Sequence, residues 1–494
     1  MTLSDLLLQR AAEHPHKTCI KFGDRKYSYA EANRRVTLTA GGLRALGLKA
    51  GERAAILMDN SPEYIISYFA ILRAGGIAVP INTFLTPDEI SFIINDSGCR
   101  IVIHGRDLSK KLDKLKPGLD IRKVLFDEVP EEDAEPYKGS ADDTAVFLYT
   151  SGTTGFPKGA MLTHHNLISN VESCMQVMRL SCRDRVLLFL PLFHSFTFTV
   201  CVILPVYSGA SIILLPSVKP FSKVIKSVFR DRITFFVAIP TIYSILSKKR
   251  IPLLFMLLFK LFTMIRVCVS GAAALPPDII YAFEKRFKAP LVEGYGLTEA
   301  SPVVAVNPVE GTRKPSSVGP PLPGVEVSII GEDGERVNLG EIGELRVKGP
   351  NVMKGYYNRP DETASVLKDG WLYTGDMARI DEDGYIYIVD RKKDLIIVDG
   401  MNIYPREVED VIMEHDSIEE CAMVGVPDGR GSEISILFIK IKEGLSFDET
   451  EIRDHLKRRI ARFKIPRKII PVDEFPKTAT GKIKKTELRK LNLG

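Results

Sequence analysis

Apolar positions in this chain fall into short runs separated by amphipathic stretches, and the two kinds alternate from the N-terminus to about residue 310. Glu52-Arg53-Ala54-Ala55-Ile56-Leu57-Met58 reads as a strand. Ser61-Pro62-Glu63 then supplies a helix cap with proline in the first turn, followed by the apolar-rich YIISYFAILRA. Gly75-Gly76 ends that helix, and IAVPI returns to a strand. Strand–helix alternation of this kind predicts a mostly parallel sheet covered by helices on both faces. A second block of the same texture runs from about 165 to 310, with strands at VLLFLP, SIILLP, FFVAIP and MIRVCVSG. From about 311 to 390 the pattern shifts to short strands and Gly/Pro turns, a small β-rich subdomain. After Asp390 come RKKDLIIVDGMNIYPREVEDVIMEH, strands near CAMVGVP and ISILFIKI, and a helix from about 448. That stretch is sized to fold by itself, so the domains are placed at 1–390 and 391–494.

One loop interrupts this pattern with chemistry. In YTSGTTGFPKGAML (149–162) the residues Ser151, Gly152, Thr153, Thr154, Gly155 and Lys158 crowd together after an apolar strand. The glycines free the backbone for close approach. The hydroxyls and N–H groups make a concave donor set for phosphate oxygens, and Lys158 adds a point charge. The spacing is not that of a Walker A loop, because Phe156-Pro157 separates Gly155 from Lys158. A flexible surface turn is the bland alternative; a nucleotide-phosphate loop is the better reading.

Composition sets bounds. The 494 residues are 45% hydrophobic and 26% charged, too long for one ordinary core and able to bury several. The formal charge of +5 is unevenly placed. Residues 451–494 carry 14 Lys/Arg against 5 Asp/Glu, a surface suited to a polyphosphate ligand, an anionic lipid surface or RNA. Seven cysteines without a C-x-x-C pair suit a reducing cytoplasm. The start, MTLSDLLLQRAAEH, does not read as a signal peptide. IPLLFMLLFKLF (251–262) is apolar but is interrupted by Lys260, short of a spanning length. It reads as a buried or gate-lining helix, ahead of an interfacial membrane helix.

Taken in order, YTSGTTGFPKG, LPLFHSF (190–196), SGAAALP (270–276), EGYGLTEAS (293–301), YTGD (373–376), DRKKDLIIVDGMNIYPREVE (390–409) and PKTATGKIKK (476–485) resemble the adenylate-forming superfamily. That superfamily comprises acyl-CoA synthetases, adenylation domains and beetle luciferases, and the likeness covers essentially the whole chain. It implies an α/β fold: a large N-terminal domain of two doubly wound αβ subdomains plus a small β-barrel-like one, then a small mobile α+β C-terminal domain. It also implies the chemistry, in which a carboxylate attacks the α-phosphate of ATP, pyrophosphate leaves, and a thiol displaces AMP. The cofactors implied are ATP, Mg2+ and coenzyme A.

Residue by residue, the resemblance implies that Glu299 holds magnesium and that Thr298 donates to the α-phosphate. Tyr295, Gly294 and the backbone of Gly271-Ala272-Ala273 form an adenine slot, and Asp376 and Arg391 meet the ribose. Lys482 bridges substrate carboxylate and α-phosphate, Lys393 is the hinge, and Gly400 lines the channel for the thiol. His194 stands near the carboxylate end of the acyl pocket, though a lone histidine in an apolar segment is more often a satisfied core residue. A zinc site is disfavoured, because the eight histidines lack a ligand pattern.

The acid is read from what surrounds it. LFHSFTFT lacks the aspartate that amino-acid-activating relatives place there, so a buried ammonium would go unpaired. Phe196, Val200, Ala238, Gly296, Ala300 and Val303 mark an apolar acyl pocket, with Ile239, Tyr243, Leu297 and Val304 around it. The expectation is a medium- or long-chain fatty acyl-CoA synthetase, cytoplasmic or loosely membrane-associated, with no nucleic-acid partner. Aryl-CoA ligation and loading of an acyl carrier protein stay open as alternatives. A non-catalytic acyl sensor is disfavoured by the presence of both Lys482 and Glu299.

Overall fold

The computed structural model describes residues 1–151, 157–248, 264–398, 401–427, 433–477 and 483–491. The segment 251–262, discussed above as a gate or membrane element, lies outside the described residues. The chain divides into two compact units, one of residues 1–328, 346–373 and 382–386, the other of 329–345, 374–381 and 387–494.

The first unit contains two α/β sheets. One has seven strands in the order Gly355–Tyr356, Pro157–Thr163, Thr144–Ser151, Ile77–Pro80, Arg53–Leu57, Ile101–His104, Arg122–Leu125. The last five of these run parallel, and the first two are antiparallel additions at one edge. Local chemistry sets the elements as the pattern predicts. The Ser61 side chain caps Pro62–Arg73 by accepting from the Tyr64 N–H, and Gly75 leaves that helix at φ +89°. Leu57, Val79, Val102 and Phe147 belong to one buried cluster of this unit.

The other sheet has eight strands: Val303–Val306, Leu291–Gly296, Val267–Ser270, Phe235–Ala238, Arg185–Leu188, Ser211–Leu214, Thr18–Phe22, Arg25–Ser28. Its membership differs from the block-by-block reading. The first hairpin of the chain leaves the N-terminal block and joins this sheet, with Ile20 opposite Ile212 and Phe22 opposite Leu214. Two hydrogen bonds seat it: Tyr29 Oη donates to the Ala210 carbonyl at 2.6 Å, and Ser211 Oγ donates to the Thr18 carbonyl at 2.7 Å. Gly355–Tyr356 also differs, since it comes from the stretch read as a β-rich subdomain yet pairs with the seven-stranded sheet.

In the second unit, Ile418–Pro427 pairs antiparallel with Glu433–Ile441, which pairs parallel with Lys468–Pro471. Helices Pro405–Met413 and Glu449–Lys457 cover the sheet, burying Val408, Ile412, Ile452 and Leu456 against Met423, Leu437 and Ile439. The strands near 421 and 434 and the helix from 448 match the sequence pattern.

All seven cysteines are free thiols. Among the described residues no helix is long and apolar enough to cross a membrane.

One buried histidine makes the fold pH-sensitive. His164 begins the helix His164–Met178, and its Nδ1 accepts the Leu3 N–H at 3.2 Å. Burial lowers its pKa to about 4, against smaller opposing effects of Asp143 and Asp5. The unfolded chain therefore takes up this proton first, near pH 6.5. The stabilisation is complete above that pH and is lost as pH falls toward 4. Denaturant midpoints at pH 7.5 and 5 should differ less for His164→Gln than for the wild type; equal pH dependence in the two proteins would refute this.

Candidate active site

The site of the first unit is built where strand ends of both sheets carry polar groups. Thr144–Ser151 and Pro157–Thr163 form an antiparallel pair with Thr150 opposite Lys158 and Ser151 opposite Pro157. Gly152, Thr153, Thr154 and Gly155, between these strands, lie outside the described residues. Gly159 packs under the Tyr149 ring, where a β-carbon would come within 3.1 Å of it.

Leu291–Gly296 runs into a short 3-10 turn, Thr298–Ala300, which presents Thr298 and Glu299. The chain then returns antiparallel as Val303–Val306, so close that a β-carbon at Gly296 would collide with the Pro302 carbonyl. Gly296 thus serves strand packing. Glu299 Oε1 accepts from Tyr356 Oη at 2.8 Å and lies 3.5 Å from Thr150 Oγ1. Its carbonyl accepts from Met353 N at 2.8 Å. Thr298 Oγ1 and Ser195 Oγ are 3.2 Å apart. Lys158 Nζ lies 5.5 Å from the Tyr356 ring centroid and 4.0 Å from Glu362. Burial, reinforced by the Glu299 charge, pushes the Tyr356 phenol well above its ordinary pKa, so it remains a donor.

This donor set fits a magnesium ion shared with phosphates. Among the described residues no three His, Cys, Asp or Glu side chains gather into a cage. The Glu299 carboxylate, flanked by hydroxyls, suits a hard cation that takes its remaining ligands from a triphosphate and water, and the Lys158 ammonium over the Tyr356 ring suits the phosphates.

The apolar side of the unit lies close by. Val267–Ser270 ends at Gly271, Ala272 has φ +70°, and Ala273 is exposed. The Phe196 ring lies over Gly271, where a β-carbon would be 2.8 Å from the ring edge. Gly294 and Tyr295 pair with Val306 and Ala305. His194 caps Ser195–Phe198, its Nδ1 accepting the Phe196 N–H at 3.3 Å. Val200, Ala238, Ala300 and Val303 are buried, and Phe196 is half-buried. Tyr243 is a core residue instead, its hydroxyl within 2.9 Å of the Val269 carbonyl and 3.1 Å of the Phe236 carbonyl.

In the second unit Asp376 is buried and ion-paired with the half-exposed Arg391, Nε to Oδ1 2.6 Å. Glu344 accepts from Gly375 N at 3.2 Å and from Lys392 Nζ at 2.7 Å, tying together the residues next to that pair. Lys393 sits in the short turn Lys392–Asp394, and Asp394 pairs with Arg489 at 2.8 Å. Gly400 and Lys482 lie outside the described residues.

Residues 7–357 match the model of the AMP-binding enzyme family, and residues 407–482 match the AMP-binding enzyme C-terminal domain. The chain belongs to the AMP-binding enzyme family. Among curated proteins of the family it is 37% identical to a long-chain-fatty-acid–CoA ligase of Bacillus subtilis, over 99% of this chain and 94% of that one. It is also 37% identical to a feruloyl-CoA synthase of Amycolatopsis, over 98% and 97%. Among solved family structures, ATP-bound MatB from Rhodopseudomonas palustris superposes with a TM-score of 0.91 at 33% identity, covering 99% of both chains.

The fold thus brings Lys158, Thr298 and Glu299 into one neighbourhood and pairs Asp376 with Arg391. Sequence reasoning missed Tyr356, Thr150 and Ser195. Thr150 and Ser195 stand inside strings already singled out, one residue outside the glycine-rich stretch and next to His194. Tyr356 had no such signal beyond its glycine neighbour.

Proposed function

We propose that this chain activates a medium- or long-chain fatty acid as acyl-AMP and transfers the acyl group to coenzyme A. It is an AMP-forming acid–CoA ligase, with ATP, magnesium and coenzyme A as co-reactants. The observation that carries the finer reading is the apolar set Phe196, Val200, Ala238, Ala300 and Val303 near the polar cluster of Thr298 and Glu299.

On this reading Lys158 and Thr150 steady the leaving phosphates, and Thr298 donates to the α-phosphate while the acid oxygen attacks it. Glu299 would hold magnesium, which neutralises charge on the departing pyrophosphate. Asp376 accepts from the ribose hydroxyls, with Arg391 fixing its orientation. Lys482 stabilises the charge that builds between carboxylate and phosphate. The thiol of coenzyme A then attacks the acyl carbon and AMP departs.

An aryl acid is the second reading, supported by the equal identity to the feruloyl-CoA synthase. A panel of acids with ATP, magnesium and coenzyme A, reading AMP and thioester, decides between them. Unbranched fatty acids should give the highest specificity constants, rising by up to about fourfold (about 0.8 kcal/mol) for each buried methylene until the pocket ends. An aromatic acid with the highest constant would overturn the fatty-acid reading.

A further inference from the structure

We infer that Tyr356 is a positioning residue for the magnesium-triphosphate end of the site: its hydroxyl fixes the Glu299 carboxylate and its ring seats the Lys158 ammonium. The inference rests on Glu299 as the magnesium carboxylate.

Strand register explains the arrangement. Tyr356 lies directly opposite Ala160, and Lys158 is two residues from Ala160 on the same strand. Side chains two apart share a face, so Lys158 and Tyr356 are diagonal neighbours across the pair. Lys158 in turn lies opposite Thr150 on the next strand. Thr150, Lys158 and Tyr356 therefore project from one face of three adjacent strands, with the small Ala160 leaving room between them. Glu299 Oε1 meets that face at Tyr356 and Thr150.

The short strand is held on both sides. Lys354 N donates to the Met161 carbonyl and Tyr357 N to the Gly159 carbonyl, each at 2.9 Å. On the outer side, Tyr356 N donates to Thr363 Oγ1 at 2.9 Å, and Thr363 Oγ1 donates to the Arg359 carbonyl at 2.7 Å. Gly355 makes the close fit feasible: its φ is +142°, and a β-carbon there would lie 2.8 Å from the Thr363 methyl. The same segment is bonded to the Glu299 turn, through Met353 N to the Glu299 carbonyl and Asn351 Nδ2 to the Ala300 carbonyl at 2.9 Å.

A glutamate has several rotamers, and a donor fixed on one oxygen selects among them; partners of this kind orient metal ligands. The aromatic face beneath Lys158, whose side chain is only 12% exposed, steadies its charge where water is scarce.

The test uses the full chain and three variants. For Tyr356→Phe, calorimetry should show magnesium-ATP affinity weakened by about ten- to a hundredfold, with AMP affinity and thermal unfolding unchanged. In turnover the magnesium concentration for half-maximal rate should rise, while kcat at saturating magnesium holds. Tyr356→Leu should add a loss of ATP affinity that excess magnesium does not restore, because Lys158 loses its ring. If Tyr356→Phe binds magnesium-ATP as the wild type does while Glu299→Gln does not, the inference is overturned and the reading of Glu299 stands. If Glu299→Gln also binds it normally, the reading of Glu299 fails and the inference falls with it.

Discussion

Lys482→Ala is expected to abolish adenylate formation while leaving thioester formation from a supplied acyl-adenylate largely intact. On the proposed reading it serves a step that builds negative charge between an attacking carboxylate and the α-phosphate, with no protein nucleophile sharing the work. Loss of one electrostatic donor aimed at such charge costs about 3 kcal/mol or more, a hundredfold or greater drop in rate. In the alternating mechanism that the family resemblance implies, the second half-reaction uses a different face of the C-terminal domain, so its rate should survive. Gly400→Leu should give the mirror result, with adenylate accumulating and thioester lost, if Gly400 lines the thiol channel as the resemblance implies. Single-turnover assays of each half-reaction check both. If a folded Lys482→Ala protein loses the two half-reactions equally, the alternating mechanism is wrong for this enzyme.

If Glu299 holds the magnesium as proposed, Glu299→Gln should reduce magnesium-ATP use by at least about a hundredfold, more than the loss of a partner behind a ligand. The substitution is close to isosteric. Gln keeps an oxygen that can accept from Tyr356 Oη and leaves the Met353–Glu299 backbone bond in place, so the turn should persist. What it removes is the charge, and charge matters where pyrophosphate departs. AMP has no departing pyrophosphate, so its affinity should change much less. Calorimetric titration of both nucleotides separates the cases; equal losses would mean that the turn itself is damaged.

The elements with local punctuation were legible in the sequence. Ser61-Pro62 and Gly75 bracket a helix, and the runs at 186–188, 212–214 and 235–238 are strands because apolar β-formers stand between breaks. Sheet membership was not legible. Nothing within Thr18–Phe22 says that its neighbour is Ser211–Leu214 rather than Arg53–Leu57, since either sheet would accept the same alternating side chains. The same gap hid Tyr356. Its importance comes from lying opposite Ala160, a pairing about two hundred residues distant in the chain, whereas Thr298 and Glu299 are adjacent and belong to one recognisable string. Residues that share one recognisable string were singled out together; Tyr356, whose place depends on a distant strand, was not.

The displaced first hairpin also bears on how the molecule is made. Ile20 finds its partner Ile212 only after 192 further residues have been added. At roughly 5–20 residues per second on the ribosome, the N-terminal hairpin waits on the order of ten to forty seconds with the backbone groups of one edge unpaired. During that interval the strands Arg53–Leu57 to Arg122–Leu125 can already pair among themselves, leaving the hairpin as a tethered, sticky arm. Newly synthesised chains should therefore be captured by holding chaperones chiefly through residues 18–28, and release should follow the emergence of Ser211–Leu214 from the exit tunnel.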